Sequence, residues 1–214
     1  SYTLPQSMSF PGVITRLKSS GGTGAEKPSL TQLFADNQFT VGNPDLSVEE
    51  SWMYDVGIEQ RLASNRARWQ ITYYDGAVDN GIFSIFNPDL VQNQWRNLPG
   101  KVKMQGVESE LSLRPFPWLT ATVVYTWSES IIADTGQQLF ARPENIVSGN
   151  LAFEPNENWK FSLEGYHRSD FLNAFPSGFE MPGYELFHLS GNWTPNEKFK
   201  IAGQISNLFD KDYE

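Results

Sequence analysis

Long stretches of strict alternation between apolar and polar side chains are the feature that most constrains the fold of this chain. From Leu119 to Trp127, the odd positions are apolar or aromatic, and threonine recurs at the even ones. A period of two residues indicates a β-strand with two different faces. About eight such stretches recur along the chain, each of roughly ten residues or more. The predicted strands cover residues 51–62, 65–77, 102–115, 118–130, 143–154, 158–169, 183–194 and 198–208.

Strand length and loop length together predict a membrane β-barrel. Strands of soluble proteins usually have about 5–6 residues, whereas a tilted strand needs about 9–11 to cross a bilayer. The connections alternate between short and long, as they do in outer-membrane barrels, whose short turns face the periplasm and whose long loops face outside. The short turns are Ala63–Asn65, Pro115–Pro117, Pro155–Asn158 and Pro195–Glu197, and the long segments are Val78–Gly100, Ser128–Arg142 and Ser169–Pro182.

The first 50 residues are less regular. Gly21, Gly22 and Gly24 interrupt the alternation, so we expect a ragged strand followed by a loop; a flexible tip formed by these glycines is the alternative. With this strand, the chain holds about eight or nine strands of an all-β, transmembrane, antiparallel up-and-down barrel. No helix with an apolar stripe is expected.

Composition and charge narrow the function classes. Seven Trp, eight Tyr and 15 Phe are a heavy aromatic load for a chain of polar mean hydropathy, and membrane barrels place such residues in interfacial girdles. A net charge of −9 argues against nucleic acid as a partner. The absence of cysteine excludes disulfides and thiolate metal sites. No apolar run is long enough for a transmembrane helix, and no signal peptide is visible, so we expect the natural N-terminus to lie upstream.

Several motifs carry a family resemblance. They are Pro28–Phe34, Gly42–Leu46 with Glu49 or Glu50 after it, Gly106–Glu108 at the start of a long strand, and Asn207–Glu214 at the chain end. In this order, over nearly the whole chain, they resemble the C-terminal part of the barrel of TonB-dependent receptors, a family that includes ferric-siderophore and vitamin B12 transporters.

The resemblance implies a 22-stranded barrel in the bacterial outer membrane, closed by an N-terminal plug that carries a TonB box. Residues 1–214 would then be a partial barrel domain without the plug and without the final strand, and we expect such a piece not to transport by itself. The implied partners are membrane lipid, TonB acting through the plug, and a metal-chelate or cobalamin ligand. The implied protein is not an enzyme and has no cofactor.

Two sets of side chains are candidates for functional contacts. Alternation places four glutamates on the polar face, where they would line a hydrated lumen or contact the plug; acid–base chemistry by paired carboxylates is the alternative. The aromatics of the long segments would contact a ligand or pack within the loops. The glutamates are Glu59, Glu108, Glu110 and Glu164, and the aromatics are Phe83, Phe86, Trp95, Phe140, Phe171, Phe175 and Phe179.

Other polar groups receive structural interpretations. His167 and His188 lie on neighbouring predicted strands, but alternation puts His167 with the membrane-facing set, so no metal site is expected. Asn207–Asp210 reads as a tight polar turn, with Asp210 and Asp212 bonded to local backbone. The long segments are slightly acidic, which suits a weakly anionic ligand such as cobalamin or a hydroxamate complex.

Two other functions remain open from the sequence. A passive porin-like or adhesive barrel would share the strand pattern and lack the plug. A soluble β-sandwich or propeller enzyme would instead bury Trp127, Trp159 and Trp193, which the barrel interpretation places against lipid.

Overall fold

A computed structural model describes residues 2–3, 12–62, 66–139, 141–173 and 178–213. Almost all of the regular structure is β. The elements in chain order are β1 (Tyr2–Thr3), β2 (Val13–Glu26), α1 (Leu30–Phe34), β3 (Thr40–Val41), β4 (Glu49–Leu62), β5 (Ala67–Asp79), β6 (Ile82–Asn87), β7 (Gln92–Asn97), β8 (Lys101–Phe116), β9 (Leu119–Ile132), β10 (Asn145–Asn156), β11 (Trp159–Arg168), β12 (Phe171–Leu172), β13 (Glu180–Met181), β14 (Tyr184–Asn196) and β15 (Phe199–Ile205).

One large sheet contains ten of these strands. Its order is β1-β2-β4-β5-β8-β9-β10-β11-β14-β15, and every neighbouring pair is antiparallel. Eight of these strands have 10–16 residues, β15 has seven and β1 has two, so the expected eight or nine antiparallel strands are confirmed, with the last one shorter than predicted. The sheet meanders up and down through alternating short turns and long segments, and its described strands do not close into a ring.

The glycines of β2 do not interrupt the strand, which corrects the expectation of a ragged segment. Val13–Glu26 pairs residue for residue with Leu62–Glu49 of β4, without a register shift. The many ladder hydrogen bonds of this pairing offset the low strand propensity of glycine. At Gly21 the Tyr54 side chain lies close, so an added Cβ would be 3.6 Å from the Tyr54 Cβ.

The first and last of the long segments contain regular structure that alternation did not reveal. In residues 78–100, β6 and β7 form a hairpin, and β3 joins β7 in parallel to make a three-stranded sheet. In residues 169–182, β12 and β13 form a second small sheet. The short helix α1 begins at Ser29, which forms a capping box with Gln32.

Each described short turn follows a proline that shifts the strand register. The shifts lie between Leu113 and Phe116, between Phe153 and Asn156, and between Trp193 and Asn196. Each shift contains a proline, namely Pro115, Pro155 or Pro195. Because proline has no N–H to donate to the neighbouring strand, it is tolerated where the regular pairing is interrupted. The fourth expected turn, at residues 63–65, lies outside the described residues.

The register assigns every long strand a polar and an apolar face. We call the polar face the one that carries Glu59, Gln70, Glu110, Asn150, Glu164 and His188, which lie on neighbouring strands. The apolar face carries Trp69, Tyr125, Leu151, Leu163, Leu189 and Ile205, all of which are substantially exposed. We call the two ends of the sheet the turn end and the loop end, after the connections found there.

A series of aromatic rings in stacked and edge-to-face contact crosses the apolar face at the turn end. Centroid separations of 4.8–6.2 Å connect six rings in series. The rings belong to Phe116, Trp118, Phe153, Phe161, Trp159 and Trp193.

Among the described residues, no second layer covers the apolar face; Trp159 and Trp193 remain exposed, and Trp127 is half-buried. The buried apolar cluster is small and lies at the loop end, where Leu98, Val102, Ile132 and Leu139 meet. This arrangement does not match a soluble sandwich with its tryptophans inside. No helix in the described ranges is long and apolar enough to cross a membrane.

Candidate functional site: the polar face and the loop end

Glu59 is the centre of an ion-pair network on the polar face of β2, β4 and β5. Its side chain is 3% exposed, although it is charged. Lys18 Nζ donates to Glu59 Oε2 at 2.7 Å, and Arg61 Nε donates to Oε1 at 2.7 Å. Arg16 and Arg68 approach the same carboxylate at 3.7 and 3.8 Å. Four cations therefore surround one buried anion.

Gln70 and Glu110 extend this network across the sheet. Gln70 Oε1 accepts hydrogen bonds from Lys18 at 2.9 Å and from Arg68 at 3.1 Å. Arg68 Nη1 also donates to Glu110 Oε1 at 3.0 Å. Glu59 and Glu110 thus share Arg68, and their carboxylates are ion-paired rather than arranged as a free acid–base pair.

The other two glutamates lie farther along the same face. Glu108 is opposite Thr72 and Thr126, and Glu164 is opposite Asn150 and His188. Glu164 and His188 help to line an open groove with Thr122, Val124, Ser148, Asn150 and Tyr166. The four glutamates therefore share one face as alternation indicates, while their contact with a plug stays a prediction.

The two histidines lie on opposite faces of adjacent strands. His167 is paired with Val147 and Glu185 on the apolar face, whereas His188 is on the polar face. His188 Nδ1 accepts a hydrogen bond from Asn207 N at 3.2 Å. Within the described residues, no three His, Asp or Glu side chains are grouped to hold a metal ion.

Gly106, in the motif before Glu108, provides space for an aromatic side chain. Tyr74 lies opposite Gly106 on β5, and its ring and hydroxyl cover the glycine. A Cβ at Gly106 would also be 2.5 Å from the carbonyl oxygen of Trp127. A glycine in a strand often marks such a close approach.

Among the loop aromatics, Phe83 packs inward. It contacts the buried cluster of Leu98, Val102, Ile132 and Leu139, together with Ile85. This is the loop-packing role that the sequence left open. The small apolar cluster fixes the β6–β7 hairpin to the loop end of the polar face.

The other described loop aromatics are in different surroundings. Phe86 and Phe179 are 55% and 67% exposed, and Trp95 is half-buried in β7. Phe171 packs on Arg168, whose guanidinium carbon is 4.5 Å from the Phe171 ring centroid and 4.4 Å from that of Tyr184. Phe140 and Phe175 lie outside the described residues. The five described candidates therefore differ in exposure and in their neighbours, and their contact with a ligand stays a prediction.

Two loop carboxyl groups share a hydrogen bond beside this aromatic pair. The bond from Glu180 lowers the pKa of Asp170, and the same bond raises the pKa of Glu180. Glu180 and Asp170 line a small cavity with Glu144 and Gln138 at the loop end.

The turn at Asn207–Asp210 is present, but its hydrogen bonds come from a different residue than expected. Asn207 Oδ1 accepts from Lys211 N at 2.9 Å, and Asn207 Nδ2 donates to Lys211 O at 2.9 Å. Asn207 and Asp210 both have a φ of 50°. Asparagine tolerates this left-handed backbone conformation, and its side chain can form hydrogen bonds with nearby backbone groups. Asp210 takes part in the turn through its backbone N–H, which donates to Asn207 O.

A basic pocket at the turn end was missed in the sequence. Arg61, Arg66, Arg68 and Arg114 line it together with Ser112. Alternation alone puts these arginines on the polar face near turns. Their convergence was not foreseen because it depends on the register of three strands.

Comparison with known proteins decides the family. The family described as TonB dependent receptor-like, beta-barrel, matches residues 11–208. The chain belongs to the TonB-dependent receptor family. This family comprises receptors rather than enzymes, and the motifs at Pro28, Gly42, Gly106 and Asn207 lie within the match or extend just beyond it.

Solved structures of a copper transporter and of siderophore receptors share the fold. The copper transporter OprC matches with a TM-score of 0.78 and 17% identity, over 94% of this chain and 32% of OprC. A variant of the ferric enterobactin receptor PfeA from Pseudomonas aeruginosa matches at 0.73 and 20%, over 94% and 33%. The siderophore receptor PirA from the same species matches at 0.68 and 20%, over 94% and 36%. The chain thus spans about a third of the length of these receptors.

Proposed function

We propose that this chain is part of an outer-membrane receptor for the TonB-dependent uptake of a scarce, bulky metal chelate, namely a ferric siderophore or cobalamin. The observation that carries the proposal is the sheet with two unlike faces. One face exposes aromatic and aliphatic side chains across the large sheet, eight strands of which are long, and the other buries Glu59 among cations. In a closed barrel, the first face suits hydrocarbon and the second suits an enclosed aqueous interior.

The proposed orientation places the loop end outside the cell. The loops at this end are long and contain exposed aromatic side chains, whereas the turns at the other end are tight. Phe86 and Phe179 are the candidates for ligand contact because their rings are exposed. Similarity to receptors named for enterobactin and siderophores supports a ferric chelate over cobalamin as the first ligand to test.

Uptake by cells tests the proposal. A strain without the gene should lose energy-dependent accumulation of one labelled ferric siderophore or of labelled cobalamin, and the full-length gene should restore it. Deleting tonB should abolish the restored uptake. A passive channel would instead give uptake that persists without TonB, and no loss with any ligand would contradict the receptor function.

A matched pair of variants tests the ligand-contact residues. Phe86→Ala combined with Phe179→Ala should weaken ligand binding by about tenfold or more, since each ring would bury apolar surface on the ligand. Phe199→Ala is the control, because Phe199 is similarly exposed but lies at the turn end. Equal affinities for the double variant and the control would move the ligand site elsewhere.

A further inference from the structure

Two methionines lie on either side of a glycine on the polar face, towards the loop end. Gly76 of β5 is opposite Met53 of β4 and also opposite Met104 of β8, so the three residues form one row across the sheet. The row continues to Gly22 of β2, which is opposite Met53. Met53 therefore has a glycine on each side, and the residue that separates it from Met104 has no side chain. We call Met53 and Met104 the methionine pair.

Met53 is an apolar side chain on the polar face, and it is 43% exposed. Methionine is among the residues most often buried, so its exposure here needs a reason. An added Cβ at Gly76 would be 3.1 Å from the Met53 Cβ. Facing Cβ atoms on neighbouring strands are usually about 4.5–5.5 Å apart. Met53 therefore leans over Gly76, in the direction of Met104, which packs against the buried apolar cluster.

The spacing allows both sulfur atoms to bind one ion. Two strand spacings place the Cα atoms of Met53 and Met104 about 10 Å apart. Metal–sulfur bonds of about 2.3 Å would bring two sulfurs that share an ion to within about 4.6 Å of each other. Each methionine side chain has three rotatable bonds, and the space above Gly76 allows both side chains to turn towards each other.

The donor atoms select the kind of ion. Thioether sulfur is a soft ligand that favours Cu(I) over hard ions such as Mg²⁺ and Ca²⁺. The chain has no cysteine, so its methionines are its only sulfur donors. Asp55 lies two residues from Met53 in β4 and therefore on the same face. Its carboxylate, which accepts a hydrogen bond from Ser20 Oγ, adds negative charge near the methionine pair and favours a cation.

We propose that the methionine pair binds a soft monovalent metal ion of the Cu(I) type on the polar face. The inference goes beyond the proposed uptake of a chelate and rests on it in one respect, because it takes the polar face as an aqueous interior that an ion can enter. Two thioethers leave coordination positions to water, so the ion is held loosely enough to leave again, as a transport pathway requires. The ion enters and leaves in the same oxidation state.

Methyl NMR of the full-length protein in detergent tests this site with Ag(I), which has the charge and softness of Cu(I) and is stable in air. Isotope-labelled methionine methyl groups give one signal each, and Met53→Leu and Met104→Leu assign the two signals of the pair. Leucine keeps the volume and removes the sulfur, so both variants should fold. Ag(I) should shift both signals over the same concentration range. The signal of Met181, which lies in β13 outside the pair, should shift much less.

Loss of either sulfur should lower the Ag(I) affinity at the other methionine by about tenfold or more. Met181→Leu is the matched control and should leave the affinity of the pair unchanged. If neither signal of the pair moves, or if each still shifts with unchanged affinity after the other methionine is replaced, the proposal is wrong. Equal shifts with Mg²⁺ would show no preference for a soft ion and would also overturn it. Because this titration requires no chelate uptake, its failure is distinguishable from failure of the receptor function.

Discussion

Glu59 shows how a charged side chain can be buried in a strand of an open sheet. Burial of a carboxylate is costly unless cations and hydrogen-bond donors replace its water. Here Lys18 and Arg61 each donate at 2.7 Å, from the neighbouring strand and from the same strand. Their own side chains remain about a third exposed, so they retain part of their hydration. The carboxylate thereby links β2, β4 and, through Arg68, β5.

Replacement of Glu59 by glutamine should destabilise the protein by about 2 kcal/mol, because charged hydrogen bonds are lost and four cations are left to repel one another. Denaturant unfolding of the detergent-solubilised protein measures this change. Glu154→Gln is the control, since Glu154 pairs with Lys160 at 3.3 Å with both side chains exposed, and it should cost at most about 0.5 kcal/mol. Equal effects of the two variants would mean that the Glu59 network contributes no special stability.

At the scale of single elements, the strands are specialised along their length. Proline sets a register shift just before each described tight turn, and glycine admits a large neighbour in the middle of a strand. The pairing of β5 with β8 is an example of a glycine that makes room for a large neighbour, because Tyr74 covers Gly106. The space left by the missing side chain determines where the tyrosine ring lies.

Gly106→Ala should therefore destabilise the β5–β8 pairing by about 1–3 kcal/mol, the usual cost of overpacking. The new methyl group would clash with the Tyr74 ring and with the Trp127 carbonyl oxygen, and backbone cannot move aside cheaply. The midpoint of thermal unfolding, compared between the Gly106→Ala variant and the unchanged protein, measures this loss of stability. The matched control is Gly203→Ala in β15, where an added Cβ meets nothing within 4 Å, and it should be neutral or slightly stabilising. A neutral Gly106→Ala would show that the ring position is not constrained.

At the scale of the whole molecule, the described residues form a wide sheet whose buried apolar cluster is small and lies at the loop end. The apolar face exposes large side chains along its whole width. In water, an apolar surface of this extent would drive aggregation. In a bilayer this apolar surface is not exposed to water, because hydrocarbon solvates it. The backbone N–H and C=O groups form hydrogen bonds with the antiparallel neighbouring strands.

Lipid contact can be measured residue by residue with variants that retain one of the seven tryptophans. In a variant that retains only Trp159 or only Trp193, doxyl-labelled lipids should strongly quench the tryptophan fluorescence after reconstitution of the full-length protein. Both side chains are exposed in the aromatic series of the apolar face. Trp95 alone should be quenched much less, since it lies in the β6–β7 hairpin. Equal quenching at all three positions, or none, would contradict the assignment of the faces.

The sequence by itself determined the strands of the large sheet from β4 onwards, their antiparallel meander and the face to which their side chains belong. Alternation is a local property, so Glu59, Glu110 and Trp193 could be assigned to a face without knowledge of their neighbours. The motifs then indicated the family, which the match over residues 11–208 confirms. The expectation of a ragged strand at the glycines of β2 was wrong. It considered the low strand propensity of glycine without the hydrogen bonds that β2 forms with β4.

Tertiary structure decided what these side chains touch. Lys18 reaches Glu59 across 41 residues of chain, and the four arginines meet only because three strands pair in one register. Phe83 became a packing residue because the β6–β7 hairpin folds onto Val102 and Ile132. Contacts of this kind depend on long-range pairing, which the period of a single strand does not encode.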